Sequence, residues 1–357
     1  MNINVKRAYF VFSTRNSEIL EFVKIMLMLQ VLIGHLIAIN YHVLPELTFE
    51  SSSIYFYKFF FRFGPESAFI FVFLSGFLVG GSLLNTYISK VKFSYSNFII
   101  NKLWRLFPTI LVAVLITFIL DYSAKHIFDF SYNFPLLGID NVGGNLGIDY
   151  ILGTLLSLQP VFISPLGTNG PLWTLGYIVN FYVFGLLALF VFQRVGIKKS
   201  YLLYVGFIIL LGCINIEWML CFLLWCFGAL LRCYRVAYFS NRLFLIGFLM
   251  CILVSNLLKG SISIVVCGIA CVFLIEFVKS ANELNFPVIL QRITHFLAPN
   301  TFLIYALHLP ICFFIYAAFF SGLNQSGSFE LYILTTVFLV TVTSVFSLKL
   351  IDYDFKK

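Results

Sequence analysis

A chain of 357 residues that is 61% hydrophobic and only 11% charged falls outside the range of soluble domains and reads as a polytopic membrane protein. Its net charge of +8 is not gathered on any soluble segment, which excludes nucleic-acid binding and leaves the basic residues as a topology signal. The eight cysteines all follow residue 212, lie in or beside apolar runs and show no metal-ligand spacing, so they read as buried free thiols.

Residues 1–20 lack the apolar core and small-residue cleavage site of a signal peptide, which leaves the first apolar helix as the targeting segment. Ten spanning helices are predicted, at 18–40, 64–86, 104–122, 170–193, 201–214, 217–231, 242–258, 261–278, 297–320 and 330–351. With a cytoplasmic N-terminus, most basic residues fall inside; Lys58, Arg62, Lys125 and Lys259 fall outside, and Lys24 lies within the first helix. Most acids, Asp121 and Glu66 among them, fall outside. The expected fold is an all-α integral membrane protein of about ten transmembrane helices, both termini cytoplasmic, forming a single domain over residues 1–357. Residues 150–163 are apolar but short and contain Gly153 and Pro160. If they crossed, every later loop would change sides and the charge bias would invert. They are therefore expected as an external or re-entrant amphipathic element within the extracytoplasmic loop 123–170. That loop is either a plain connector or a cover over a substrate cleft.

In the first helix, Lys24 and His35 are eleven residues apart. At ~100° and ~1.5 Å per residue they share one face, ~16 Å apart along the axis. A cation and an imidazole on one stripe of a membrane helix are costly unless they face a protein interior or a wet cavity. Histidine exchanges protons near neutral pH, which suits a general base acting on a hydroxyl. The plainer alternatives are a histidine bonded between helices, and a lysine that snorkels or pairs with Glu21. Ser75-Gly76 sits in mid-helix with no nucleophile elbow around it, so close helix packing is the preferred reading. In "NKLWRLFP", Lys102 and Arg105 share a face at the cytoplasmic start of the third span. They suit either a grip on phosphates or ordinary positive-inside anchoring. "GPLWTLGYIVNFYVFG" opens the fourth span with Pro171 and carries Trp173, Tyr177, Asn180 and Tyr182, as near a sugar or a membrane interface. "TFLIYALHLP" places Tyr305 and His308 three apart, with Pro310 available to kink the helix. Two helices bearing histidines thus point to one polar site.

Taken in order along nearly the whole chain, these segments resemble the acyltransferase 3 family of bacterial integral-membrane acyltransferases. The matching positions are Glu21, Lys24 and His35, then "FVFLSGF", "NKLWRLFP", "PLWTLGYIVNFY", and Thr301 with Tyr305 and His308. The resemblance implies transfer of an acyl group, usually acetyl, from cytoplasmic acyl-CoA to a hydroxyl acceptor at or across the bacterial plasma membrane. The acceptor implied is a surface polysaccharide or lipid-linked glycan. It implies His35 as the essential base, Lys24 as the basic position below it, and Lys102 and Arg105 as ligands of the coenzyme A phosphates. Glu66, Trp173, Tyr305 and His308 are the expected acceptor-side residues. No metal or nucleic acid is expected. Three departures stand out: Lys24 replaces the commoner arginine, Asn101 replaces one of two paired arginines, and Ile178 occupies the position of the family's glutamate. Glu66 is a positional candidate to replace that carboxylate. The competing readings are a transporter or flippase for lipid-linked sugars, and an inactive family relative.

Overall fold

The computed structural model describes residues 13–43, 63–128, 144–233, 241–258, 260–280 and 287–320. All regular structure among them is helical: α1 (Thr14–Val43), α2 (Gly64–Ser75), α3 (Gly81–Ile88), α4 (Tyr95–Phe98), α5 (Trp104–Ile127), α6 (Ile148–Leu155) and α7 (Leu172–Val195) come first. α8 (Ile197–Ile214), α9 (Ile216–Arg232), α10 (Asn241–Leu257), α11 (Ser261–Ser280), α12 (Val288–Leu297) and α13 (Thr301–Phe320) follow. π-turns at Gly76–Gly80 and Ile99–Leu103 join α2 to α3 and α4 to α5. Among the described residues, six helical stretches are long and apolar enough to cross a bilayer: Thr14–Leu36, Gly64–Ile88, Tyr95–Ile127, Leu172–Val195, Ser261–Ser280 and Val288–Ala318. The segments expected as spans at 201–214, 217–231 and 242–258 are helical, as α8, α9 and α10, but are not among those six stretches. The expected span at 330–351 lies outside the described residues.

Two compact units form. One comprises residues 1–23, 68–100 and 177–294. Its centre is α9, laid against the Gly76–Gly80 turn and α11. Glycines make that approach possible. A Cβ on Gly76 would overlap the Trp225 carbonyl, and one on Gly228 would overlap the Phe73 carbonyl. The Ser75 hydroxyl bonds the Val72 carbonyl of its own helix (3.0 Å), so this serine serves packing. Phe181, Phe184, Phe207, Phe222 and Trp225 fill the surrounding core; most ring pairs are tilted or edge-on, and Phe222 and Trp225 are near-parallel. Asn215 caps α9 by accepting from the Trp218 amide (2.8 Å), which fixes the tight turn out of α8. All eight cysteines are free thiols, and only Cys213 is exposed.

The second unit comprises residues 24–67, 101–176 and 295–357, and it carries the histidines. Its main contact is α13 against α5. The two faces of α5 follow from its sequence. Ile110, Ala113, Thr117, Asp121 and Ala124 recur at three- and four-residue steps and are buried. Leu111, Leu115, Ile119 and Tyr122 recur likewise and are exposed, as a lipid-facing stripe should be. The helix runs on to Ile127, so Asp121 is an interior residue of α5. Residues 148–155 form the short helix α6, packed on α5, and the chain then turns back through 156–171. Ile148, Leu152 and Leu156, four apart, are exposed, while Gly153 and Thr154 face inward. The helix is thus amphipathic and only eight residues long.

Candidate functional site

His35, on α1, and His308, on α13, meet. Nδ1 of His35 lies 2.7 Å from Nε2 of His308. The ring planes are 3° apart with centroids 5.0 Å apart. Parallel rings whose nearest atoms approach this closely cannot be stacked face to face. They lie edge to edge in one plane, the geometry of an N–H···N hydrogen bond. Nδ1 of His308 lies 2.6 Å from the carbonyl oxygen of Tyr305, one helical turn earlier. A carbonyl only accepts, so His308 carries its proton on Nδ1. Its Nε2 is then the acceptor, and in the neutral pair His35 donates from Nδ1. The lone pair of His35 is therefore on Nε2. One backbone carbonyl sets the tautomer of both rings.

Pro310 arranges the same turn of α13. Proline has no N–H, so the carbonyl four residues earlier, that of Ala306, loses its helical partner. The Asn169 amide nitrogen takes that place, donating to Ala306 O (2.9 Å) and to the Thr117 hydroxyl (2.7 Å). Thr117 in turn donates to Ala113 O (2.7 Å), within α5. Beside it, both oxygens of Asp121 are held by Thr168, one by the backbone N–H (2.6 Å) and one by the hydroxyl (2.8 Å). Gly167 makes this clamp possible. Its φ of +49° is left-handed, and a Cβ there would overlap Asp121 Oδ2. Tyr305 shares a 2.9 Å hydrogen bond with Thr174, in the first turn of α7. Each polar group here sits in a helix interior or a buried turn, where an unmet hydrogen bond is expensive, and the pairings account for their placement.

The other sequence-derived residues fall at stated places. Trp173 adjoins Thr174 and is half-buried. Glu66 is buried in the first turn of α2. Lys24 sits half-buried on α1, which runs unbroken from Thr14 to Val43, so its axial offset from His35 holds. Lys102 and Arg105 are exposed at the start of α5. Twelve residues separate Arg105 from Thr117, ~18 Å along the helix. The structure thus joins His35, His308 and Tyr305 in one polar cluster, with Lys24 about three turns from His35 along α1 and Arg105 about three turns from Thr117 along α5. Ile178 is buried, as an apolar residue should be.

Thr117, Asp121, Thr168, Asn169 and Thr174 are the members that sequence reasoning missed. Their signal was present in part: Thr117 and Asp121 are four apart inside an apolar run, and an ionisable group there marks a site by default. Comparison with known proteins decides the family. The model of an acyltransferase domain, acyltransferase 3, matches residues 18–348. The chain belongs to the acyltransferase 3 family. That match covers His35, the α5 cluster and His308 together, so the polar cluster is the acyltransferase domain's own interior. No curated protein and no solved structure gave a significant match.

Proposed function

We propose that this protein is an acyl-CoA-dependent O-acyltransferase of the bacterial plasma membrane. It moves an acyl group, acetyl by preference, onto a hydroxyl of a surface polysaccharide or lipid-linked glycan. The observation that carries this reading is the hydrogen bond from His35 to His308, which leaves His35 Nε2 with the lone pair a general base requires. The acceptor hydroxyl gives its proton to Nε2 while its oxygen attacks the thioester carbonyl. The carbon–sulfur bond breaks, and the proton on His35 goes to the departing thiolate. Ester and free CoA are the products, and His35 returns to its starting tautomer. The imidazolium formed midway is stabilised by sharing its Nδ1 proton with His308.

Ten spans with both termini in the cytoplasm are part of this proposal. That topology puts Lys102 and Arg105 at the inner face, where acyl-CoA is. Their exposure suits the binding of CoA phosphates. Lys24 adds positive charge below His35 on the same stripe, along the path of the pantetheine arm. Thr174, Tyr305 and Trp173 sit on the acceptor side. Glu66 is a positional candidate to supply the carboxylate missing at Ile178. The test is acetyl-CoA binding to purified protein. Saturable binding that weakens at least tenfold in Lys102→Glu/Arg105→Glu is expected. No binding by a folded wild-type protein would contradict the donor assignment and favour a flippase for lipid-linked sugars, which has no use for acetyl-CoA.

A further inference from the structure

Between α5 and α7, three buried polar atoms have no hydrogen-bond partner among the described residues: Thr154 Oγ1, Gln159 Oε1 and Asn169 Oδ1. These residues are 2%, 1% and 0% exposed. A buried acceptor left unmet is among the costliest features a fold can keep, so three such atoms within residues 154–169 call for donors that arrive from elsewhere. The Asn169 amide cannot be turned to relieve this. Its nitrogen faces two acceptors, the Ala306 carbonyl freed by Pro310 and a Thr117 hydroxyl that already donates to Ala113. The oxygen must therefore occupy the other side.

The segment is tied to the histidines. Asn169 bonds the residue after Tyr305, whose carbonyl holds His308. A Cβ on Gly176 would lie 3.0 Å from the Gln159 carbonyl, so residues 157–159 rest against α7 two residues beyond Thr174, the partner of Tyr305. Residues 144–171 contain no lysine or arginine, and their one acid, Asp149, is exposed. An anionic ligand would find no counter-ion in this segment. A neutral, hydroxyl-rich ligand supplies hydrogen-bond donors and needs no counter-ion.

Resting on the acyl-transfer reading, we infer that the inner side of residues 154–169 is the acceptor subsite. It binds a neutral, hydroxyl-rich sugar, and Asn169 Oδ1 accepts a hydrogen bond from one of its hydroxyls. The probe is [14C]acetyl-CoA with membranes from a host that makes the glycan. Two rates are read, label reaching glycan and His35-dependent release of CoA. Asn169→Ala and Thr154→Val are expected to lower transfer to glycan at least tenfold more than they lower CoA release. Thr154→Val discards an unmet hydroxyl and no hydrogen bond, so it is also expected to melt no lower than wild type. Transfer that is unchanged, or that falls in step with CoA release, would reduce these atoms to sites of buried water and overturn the proposal. A wild type with no His35-dependent CoA release would instead defeat the acyl-transfer reading, and this subsite with it.

Discussion

At the scale of single residues, the proposed chemistry depends on where protons sit. His308 acts on His35 through one hydrogen bond, which makes it a positioning residue with a distinctive requirement: it must accept. Glutamine can present an amide oxygen to His35 Nδ1, and leucine cannot. His308→Gln is therefore expected to retain kcat within about tenfold, whereas His308→Leu loses about 100-fold or more, the worth of a general base. Equal losses in the two, measured on protein of equal abundance, would count against tautomer control. The Asp121–Thr168 clamp makes a second prediction. Asp121→Asn turns one accepting oxygen into a donor facing Thr168, and is expected to cost about 1–3 kcal/mol of stability, read as a lower melting temperature. Gly167→Ala is expected to cost a similar ~1–3 kcal/mol through its left-handed backbone. Much of this was legible beforehand. His35, Tyr305 and His308 announce themselves because polar groups in apolar helices need a reason. Asn169 and Thr168 did not, because they lie in a turn of common turn residues whose partners are more than forty positions away.

At the scale of helices, periodicity was the reliable signal and length the weaker one. The third span was expected at 104–122; α5 starts at Trp104 and runs on to Ile127, with Asp121 buried inside it and held by Thr168. The α9 contact with the Gly76–Gly80 turn shows what small residues do. "SGFLVGG" in one element and Gly228 in the other let backbones touch. Gly228→Ala is expected to destabilise by about 1–3 kcal/mol, since a methyl there collides with the Phe73 carbonyl and backbone cannot move aside as a side chain does. An unchanged melting temperature would contradict that contact. The same test applied to Gly206, which has open space around it, is expected to show no such loss.

At the scale of the whole molecule, composition and charge placement made a membrane-spanning helical protein plain, and the family model over residues 18–348 agrees. What sequence does not reveal at this scale is how a proline, a freed carbonyl and an asparagine far apart in the chain combine, because each is unremarkable in its own window. The proposed topology predicts that cysteines introduced at Lys102 and Lys198 react with thiol reagents only from the cytoplasm, and one at Asn145 only from outside. A swapped pattern would reverse the donor and acceptor sides. The central claim, acyl transfer with His35 as base, is tested most directly by [14C]acetyl transfer from acetyl-CoA in membranes holding equal amounts of wild type or His35→Ala, in a host that makes the glycan. Label on glycan with wild type alone is the predicted result; equal labelling by His35→Ala would contradict it.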